Sequence, residues 1–296
     1  MGVLFLFIDG IGIGPSSAYN PFSVRDFEGF QQLTGGERLT IDTPPINTSE
    51  LVFRSVDARL GVEGLPQSGT GQATLFSGEN ASAMIGKHFG PYPHSGIKVL
   101  LQERSLFHQV QQKGKRPYFI NAFPEIFFER ASLRNRWSCA TLMTRSAGLK
   151  INSVEDVFAE KALTAEILQD YWKKMLNLEV PAISFDEASK RVLNALDEYD
   201  VVLMEYYLTD KAGHAQKLDE AILAIERIDK FIYSFLSNNT THTLVICSDH
   251  GNIEDLSIKT HTMNNVPLIV SGPAAQNFIN VEDLRGLTPS ILTSIE

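Results

Sequence analysis

Short apolar runs separated by polar, glycine-rich connections set the rhythm of this chain. Val3–Ile8, Val201–Tyr207, His242–Ile246 and Val266–Val270 are each a few residues long, rich in β-branched side chains and bounded by turn-forming residues. That is the pattern of buried strands. Between them the period changes to that of a helix. Leu218, Ile222, Ile225, Ile228, Ile232 and Phe235 recur at helical spacing, which predicts an amphipathic helix lying on a sheet. Ser184 with Glu187 fits a capping box opening a helix that runs to about Leu196. Ser105–Ala122, with Gly114-Lys115 before PYFINAF, predicts helix, turn and a further parallel strand. The alternation points to an α/β protein, a three-layer α/β/α sandwich with a mainly parallel sheet. Residues 15–50 show neither period and read as a long irregular excursion.

The polar residues just past these runs carry the candidate chemistry. The first run ends in Asp9-Gly10. The run Val201–Tyr207 is followed by Asp210 and, four residues on, His214. After His242–Ile246 come Asp249-His250, and His261 precedes Val266–Val270. A single Asp-His pair could be a strand-end turn with a capping aspartate. Three aspartates and three histidines past or between predicted strands of one sheet instead suggest a divalent-metal site, at the edge where open α/β sheets place their ligands.

A second candidate is Gly61–Gly78, GVEGLPQSGTGQATLFSG, where a glycine-rich loop leads into a short helix predicted over Thr70–Phe76 and ending at Gly78. Ser68 falls at or just before its N-terminus. Exposed backbone N–H groups there favour an anion, and such a position suits either an activated hydroxyl or a simple N-cap. The earlier IDGIGIGPSS segment lacks the dinucleotide-binding spacing, because proline stands where a helix should open. Its glycines read as a means of turning the backbone away from Asp9.

Composition narrows the partners. With 296 residues, 43% hydrophobic and 21% charged, the chain has the make-up of a globular protein able to bury a large core. A formal net charge of −9 offers no basic field for nucleic acid or an anionic membrane, so neither is expected as a partner. The apolar start is short, lacks a basic beginning and runs straight into Asp9, which reads as a strand and not a leader. No run has the length of a membrane span. The 2 cysteines, Cys139 and Cys247, make no disulfide framework, and the expected location is cytoplasmic. The oligomeric state is left open.

Taken in order, FIDG, GLPQSGTGQ, TDKAGHAQ, SDHGNIED and THTMNNVP resemble the alkaline phosphatase superfamily. Within it the likeness is to the metalloenzyme branch that holds cofactor-independent phosphoglycerate mutase and phosphopentomutase. The match covers roughly residues 1–100 and 195–296. The resemblance implies an alkaline phosphatase-like fold, two divalent metal ions and a nucleophile, Ser68, that becomes transiently phosphorylated. Asp9, Ser68, Asp249 and His250 would hold one metal, and Asp210, His214 and His261 the other. Carboxylates with imidazoles suit Mn2+ or Zn2+. Thr70 is a rival nucleophile, although the distance from Ser68 to Ser77-Gly78 fits the family better.

The resemblance thins between the two matching parts. Similar mutases carry a cap domain there, whose arginines bind a phosphosugar. Here about 124–180 would be a small cap-like insertion on a single domain spanning 1–296. Its arginines, Arg130, Arg134, Arg136 and Arg145, could line the site mouth and bind an anion, or pack their stems on the surface among aromatics. Arg145 is singled out as a substrate contact, with Lys87 and Thr70 beside it; His88 and His94 have no motif behind them. The expected activity is a two-metal phosphatase acting on a small phosphorylated metabolite through a phosphoserine. A phosphomutase or a phosphodiesterase is the alternative enzyme. A non-catalytic metal-binding protein of the same fold is the alternative of another class.

Overall fold

The computed structural model describes residues 1–239 and 241–296. Seven strands form one sheet: β1 Val3–Ile8, β2 Ile46–Asn47, β3 Leu51–Val56, β4 Pro117–Phe119, β5 Val201–Tyr206, β6 Thr243–Cys247 and β7 Val266–Ser271. Their order across the sheet is β2-β3-β7-β6-β1-β5-β4. The central strand β1 pairs in parallel with β5 and β6, and β5 pairs in parallel with β4. These are the strands that the apolar runs predict, flanked by helices on both faces.

Two cores follow from the period of two along each strand. Val3, Phe5 and Phe7 of β1, with Val201, Leu203, Val245 and Cys247, face the helices Ser68–Ser77, Leu106–Gln112, Cys139–Ser146 and Leu287–Ser294. Leu4, Leu6 and Ile8, with Val202, Met204, Leu244 and Ile246, face Glu28–Leu33, Phe185–Glu198 and Leu218–Asn238. Both faces of β1 are covered, which is why its sequence is apolar throughout and does not alternate.

At the other side of the sheet the strand direction changes. β7 runs antiparallel to β6, with Cys247 opposite Leu268, and β3 antiparallel to β7. The N-terminal start of β7 therefore lies at the same edge as the C-terminal ends of β1, β5 and β6. That reversal carries His261 to the edge where Asp9, Asp210 and Asp249 emerge.

The stretch 15–50, read from sequence as irregular, contains the six-residue helix Glu28–Leu33. Its own N-cap, Phe27, supplies no side-chain acceptor. Asp229, on the long helix Leu218–Asn238, instead accepts from Phe30 N (2.9 Å). A helix this short shows no period and is held from outside, so local patterning does not announce it. β3, which sequence reading left unassigned, has edge-like polar interruptions at Arg54 and Ser55.

Residues 124–180 divide between the core beside Ser68–Ser77 and a smaller cluster. The helix Cys139–Ser146 belongs to the main core beside Ser68–Ser77. Ala122, Val157, Ala162, Trp172 and Val180 form a separate small cluster, and the helices Glu125–Arg134 and Asp170–Leu176 border the cleft described below. No described helix is long and apolar enough to cross a membrane.

Ile228 and Leu223 lie on the same helix, the first fully buried and the second 63% exposed. Ile228→Ala should cost about 2–5 kcal/mol in urea unfolding, whereas Leu223→Ala should stay within about 0.5 kcal/mol. Equal costs would contradict the helix's orientation on the sheet.

Candidate active site

Ser68 is the first residue of the helix Ser68–Ser77, two residues earlier than the predicted start, and Gln67 before it places no side-chain cap on the helix end. Its Oγ lies 2.9 Å from His250 Nε2. Two glycines permit this approach. A Cβ on Gly71 would stand 2.7 Å from Asp249 O, so only glycine lets the helix rest on the end of β6. Gly10, at φ +73°, turns the chain after Asp9, and a Cβ there would meet Asp210 Cβ at 2.8 Å.

Around Ser68 the expected residues converge. The ligand atoms of Asp210, His214 and His261 lie within 4.8 Å of one another, as do those of Asp9, Asp210 and His250. Asp210 therefore belongs to both groups, where the sequence reading divided them cleanly. Asp249 is alongside: its Oδ2 is 3.5 Å from His250 Nε2 and accepts from Gln72 Nε2 (3.1 Å).

The imidazoles are oriented from behind. His214 Nδ1–H donates to Lys259 O (2.9 Å) and His261 Nδ1–H to Pro66 O (2.7 Å). His250 Nδ1 has a longer contact with Gly251 O (3.4 Å). This leaves Nε2 of each ring turned toward the site: that of His250 faces Ser68 Oγ at 2.9 Å, with Asp9 at 3.4 Å, and that of His214 is 3.5 Å from Asp210. Backbone carbonyls behind Nδ1 are a common support for metal-binding histidines.

Electrostatics point the same way. Burial pushes the Asp9 carboxyl well above its usual range, and the neighbouring Asp249, Asp210 and Glu205 push it further. Asp249 is pushed up to about 7, by burial and then by Asp210, and Glu205 to about 7, by burial and then by Asp249. Burial lowers His250 and His261, so both rings stay neutral, and they stack with centroids 3.6 Å apart. Asp9 Oδ1 is buried without a hydrogen-bond partner. Neutral imidazoles, crowded carboxylates and an unpartnered buried oxygen make a set that divalent cations fit.

Sequence reasoning passed over several supporting residues. Gln72 is one helical turn beyond Ser68, so spacing alone places it on the same face; besides Asp249 it reaches Asp9 Oδ2 (3.4 Å). Asn252 Nδ2 donates to Asp210 Oδ1 (2.6 Å). Glu254 is buried and accepts from Gly12 N (2.9 Å), Asn252 N (2.7 Å) and Asn264 Nδ2 (3.0 Å), and also from Thr262 Oγ1. It ties together the loops after β1 and β6 and the loop before β7. Glu205 was visible as the one acid within an otherwise apolar strand.

The remaining candidates lie elsewhere. Thr70, the rival nucleophile, is buried and engaged with Gln67 O (3.2 Å) and Phe89 N (3.2 Å). Lys87 is over the Phe89 ring, His88 is held between Ser82 and Val62 O, and His94 accepts from Gly96 N. Arg145 does not reach the cleft, because its guanidinium stacks on Trp137, 4.7 Å from the ring centroid. Arg130, Arg134 and Arg136 do line it, together with Asp9, Ser68 and Asp210, around a volume of about 660 Å³. Of the two readings left open for these three, lining the mouth of the site or packing their stems on the surface, that placement fits the first.

Sequence comparison completes the picture. The Metalloenzyme superfamily profile matches residues 1–296. The chain belongs to the Metalloenzyme superfamily. The 2,3-bisphosphoglycerate-independent phosphoglycerate mutase of Malacoplasma penetrans is 31% identical over 136 residues, 43% of this chain and 27% of that protein. The enzyme of the same name from Halobacterium salinarum is 32% identical over 126 residues, 38% of this chain and 25% of that protein. The chain thus spans about a quarter of the length of these curated relatives. Among solved structures, the alkaline phosphatase of the Antarctic bacterium TAB5 superposes with a TM-score of 0.59 at 12% identity, covering 99% of this chain and 96% of that one. Leishmania mexicana phosphoglycerate mutase does so with a TM-score of 0.51 at 11% identity, covering 99% and 95%. Both structural likenesses concern the fold, which is alkaline phosphatase-like. As a member of the Metalloenzyme superfamily the protein is an enzyme of a metal-dependent family.

Two expectations follow for this superfamily member. An aspartate or glutamate near about 4 when unfolded, but pushed up to about 7 in the fold as Asp249 and Glu205 are, makes the folded state bind protons that the unfolded chain has released. The contribution of these groups to stability should fall as pH rises from about 4 to about 7 and level off above. Urea unfolding of chelator-treated protein between pH 5 and 8 checks this, and Asp249→Asn should show a smaller loss over that interval. Glu254→Gln keeps one acceptor oxygen for four donors. It should cost about 1–3 kcal/mol in thermal unfolding and weaken Mn2+ binding about 10- to 100-fold by calorimetry.

Proposed function

We propose that the protein is a two-metal phosphoryl-transfer enzyme, most directly a phosphatase that releases phosphate from a small phosphorylated molecule by way of a phosphoserine at Ser68. The observation that carries this reading is Ser68 itself, at an uncapped helix N-terminus with Oγ 2.9 Å from His250 Nε2. Asp9, Ser68, Asp249 and His250 would hold one divalent ion, Mn2+ or Zn2+, and Asp210, His214 and His261 the other. When bound, such ions supply positive charge to the reacting phosphoryl oxygens and ease loss of a proton from an alcohol or water.

The chain's own residues do the rest. Ser68 Oγ attacks phosphorus as the ester P–O bond breaks, and the alcohol departs. The first backbone N–H groups of the helix and its dipole favour negative charge at this position. Gln72 holds the Asp9 and Asp249 carboxylates from one side, and Asn252 holds Asp210 from the other. Water then attacks the phosphoserine and frees Ser68. Hydrolysis is the first reading because Tyr92 and Tyr207 at the cleft walls are each 42% exposed, which suits access of water to a phosphoserine. A phosphomutase is the second reading, supported by the names of the curated relatives.

Purified protein should contain about two manganese or zinc ions per chain, or gain activity when they are supplied. Ser68→Ala should lower phosphate release about a thousandfold or more. Turnover in ¹⁸O-labelled water separates the two readings. Label in the released phosphate marks a phosphatase, and an isomerised phosphoester without release marks a mutase. Full activity of Ser68→Ala would remove the phosphoserine route.

A further inference from the structure

The geometry points to a substrate that joins its phosphoryl group to a planar ring and to a second anionic group, an inference that rests on the phosphoryl-transfer reading of Ser68. The cleft above Ser68 has a volume of about 660 Å³, within the range of about 300–1,000 Å³ that suits ligands much larger than a three-carbon phosphate. Only its floor is acidic. Tyr92, Phe123, Phe127, Tyr171, Trp172 and Tyr207 line the walls. Phe123 and Phe127 stack on one another at 4.2 Å between centroids, while Tyr92 and Tyr207 remain 42% exposed beside the cavity. Aromatic surface around a polar reaction floor is matched by a ligand with a flat face, since ring stacking is tolerant of detail and adds affinity beyond burial.

The second anionic group is argued from charge. Arg130 and Arg134 stand four apart on the helix Glu125–Arg134, hence on one face, and Arg136 follows, its guanidinium 5.9 Å from the Tyr92 ring centroid. The arginine ion pairs among the described residues are all made by other arginines. Three guanidinium groups without a carboxylate partner, gathered on one cleft of a chain with net charge −9, are free to bind an incoming anion. They belong to the helix Glu125–Arg134 and the turn after it, not to the sheet edge that carries Ser68 and the carboxylates. A ligand whose phosphoryl group sits at Ser68 is inferred to meet them with a second anion.

Four ligands separate the two features: glycerol 3-phosphate has neither, adenosine 5′-monophosphate has the ring, 3-phosphoglycerate has the second anion, and adenosine 3′,5′-bisphosphate has both. Calorimetric titration into Ser68→Ala with Mn2+ supplied reads binding without turnover. Each feature should tighten binding about tenfold, so that the bisphosphate binds about a hundredfold more tightly than glycerol 3-phosphate. Tyr171→Ala should remove the ring's gain and Tyr171→Phe keep it, while Arg130→Gln with Arg134→Gln should remove the gain from the second anion. A ring gain below about threefold, or 3-phosphoglycerate binding as tightly as the bisphosphate, overturns the inference. Phosphate release that depends on Ser68 but not on the ring would leave the phosphoryl-transfer reading standing without it. Ring-dependent binding with no phosphate release from any of the four by the unaltered protein would overturn that reading instead.

Discussion

Crowding of like charge at one edge of the sheet is the constraint on which the rest of the structure depends. Asp9 and Asp249 stand just past β1 and β6, and Asp210 lies in the first turn of the helix Leu208–Ala215 that follows β5, with Glu205 close by; Asp9 and Asp249 are almost fully buried. Carboxylates so placed repel each other and lose hydration, and such an arrangement persists only where something compensates it. Part of the compensation is in the chain: the amides of Gln72 and Asn252 and three imidazoles with Nε2 turned toward the site. Among the described residues the buried Oδ1 of Asp9 has no hydrogen-bond partner, so the compensation within the chain is incomplete there, in keeping with a metal-dependent family.

Holding the carboxylates together requires loops that do not yield. Glu254 gathers donors from the loops after β1 and β6 and before β7, so that displacement of one loop disturbs the others. Gly10 and Gly71 allow the backbone approaches that side chains would block. The same packing that fixes Ser68 over the site thus fixes the distances among its neighbours. Most of the site's residues stand at strand ends and helix starts, which position side chains more precisely than loops do.

The cleft wall is built differently. Of its helices, Glu125–Arg134 packs Ala131, Phe127 and Phe128 onto the core beside Ser68–Ser77, and Asp170–Leu176 packs Tyr171 and Trp172 onto the small separate cluster; to the cleft they present arginines and aromatic rings. Floor and wall thus differ in chemistry: acids and imidazoles stand at the sheet edge, arginines and aromatic rings on the wall.

Much of the floor was readable from the sequence because its signals are local. The apolar runs, the residues that end them, the capping box at Ser184 and the period of Leu218–Asn238 each lie within a single element, where the geometry of strand or helix dictates the pattern. Gln72 and Glu205, which the sequence reading passed over, also had local signals: helical spacing from Ser68 and an acid in an apolar strand. What no local pattern contains is the meeting of distant elements. His261 reaches the site only because β7 runs antiparallel, a direction that sequence does not encode within the strand. The helix Glu28–Leu33 forms against Asp229, about two hundred residues away, and Arg145 turns to Trp137 while Arg130, Arg134 and Arg136 border the cleft. The sequence by itself determined which elements form and which residues stand at their ends, because backbone geometry and side-chain periodicity act over a few residues. Strand direction and the choice among chemically equivalent arginines were decided only by tertiary structure, since both depend on what packs against them.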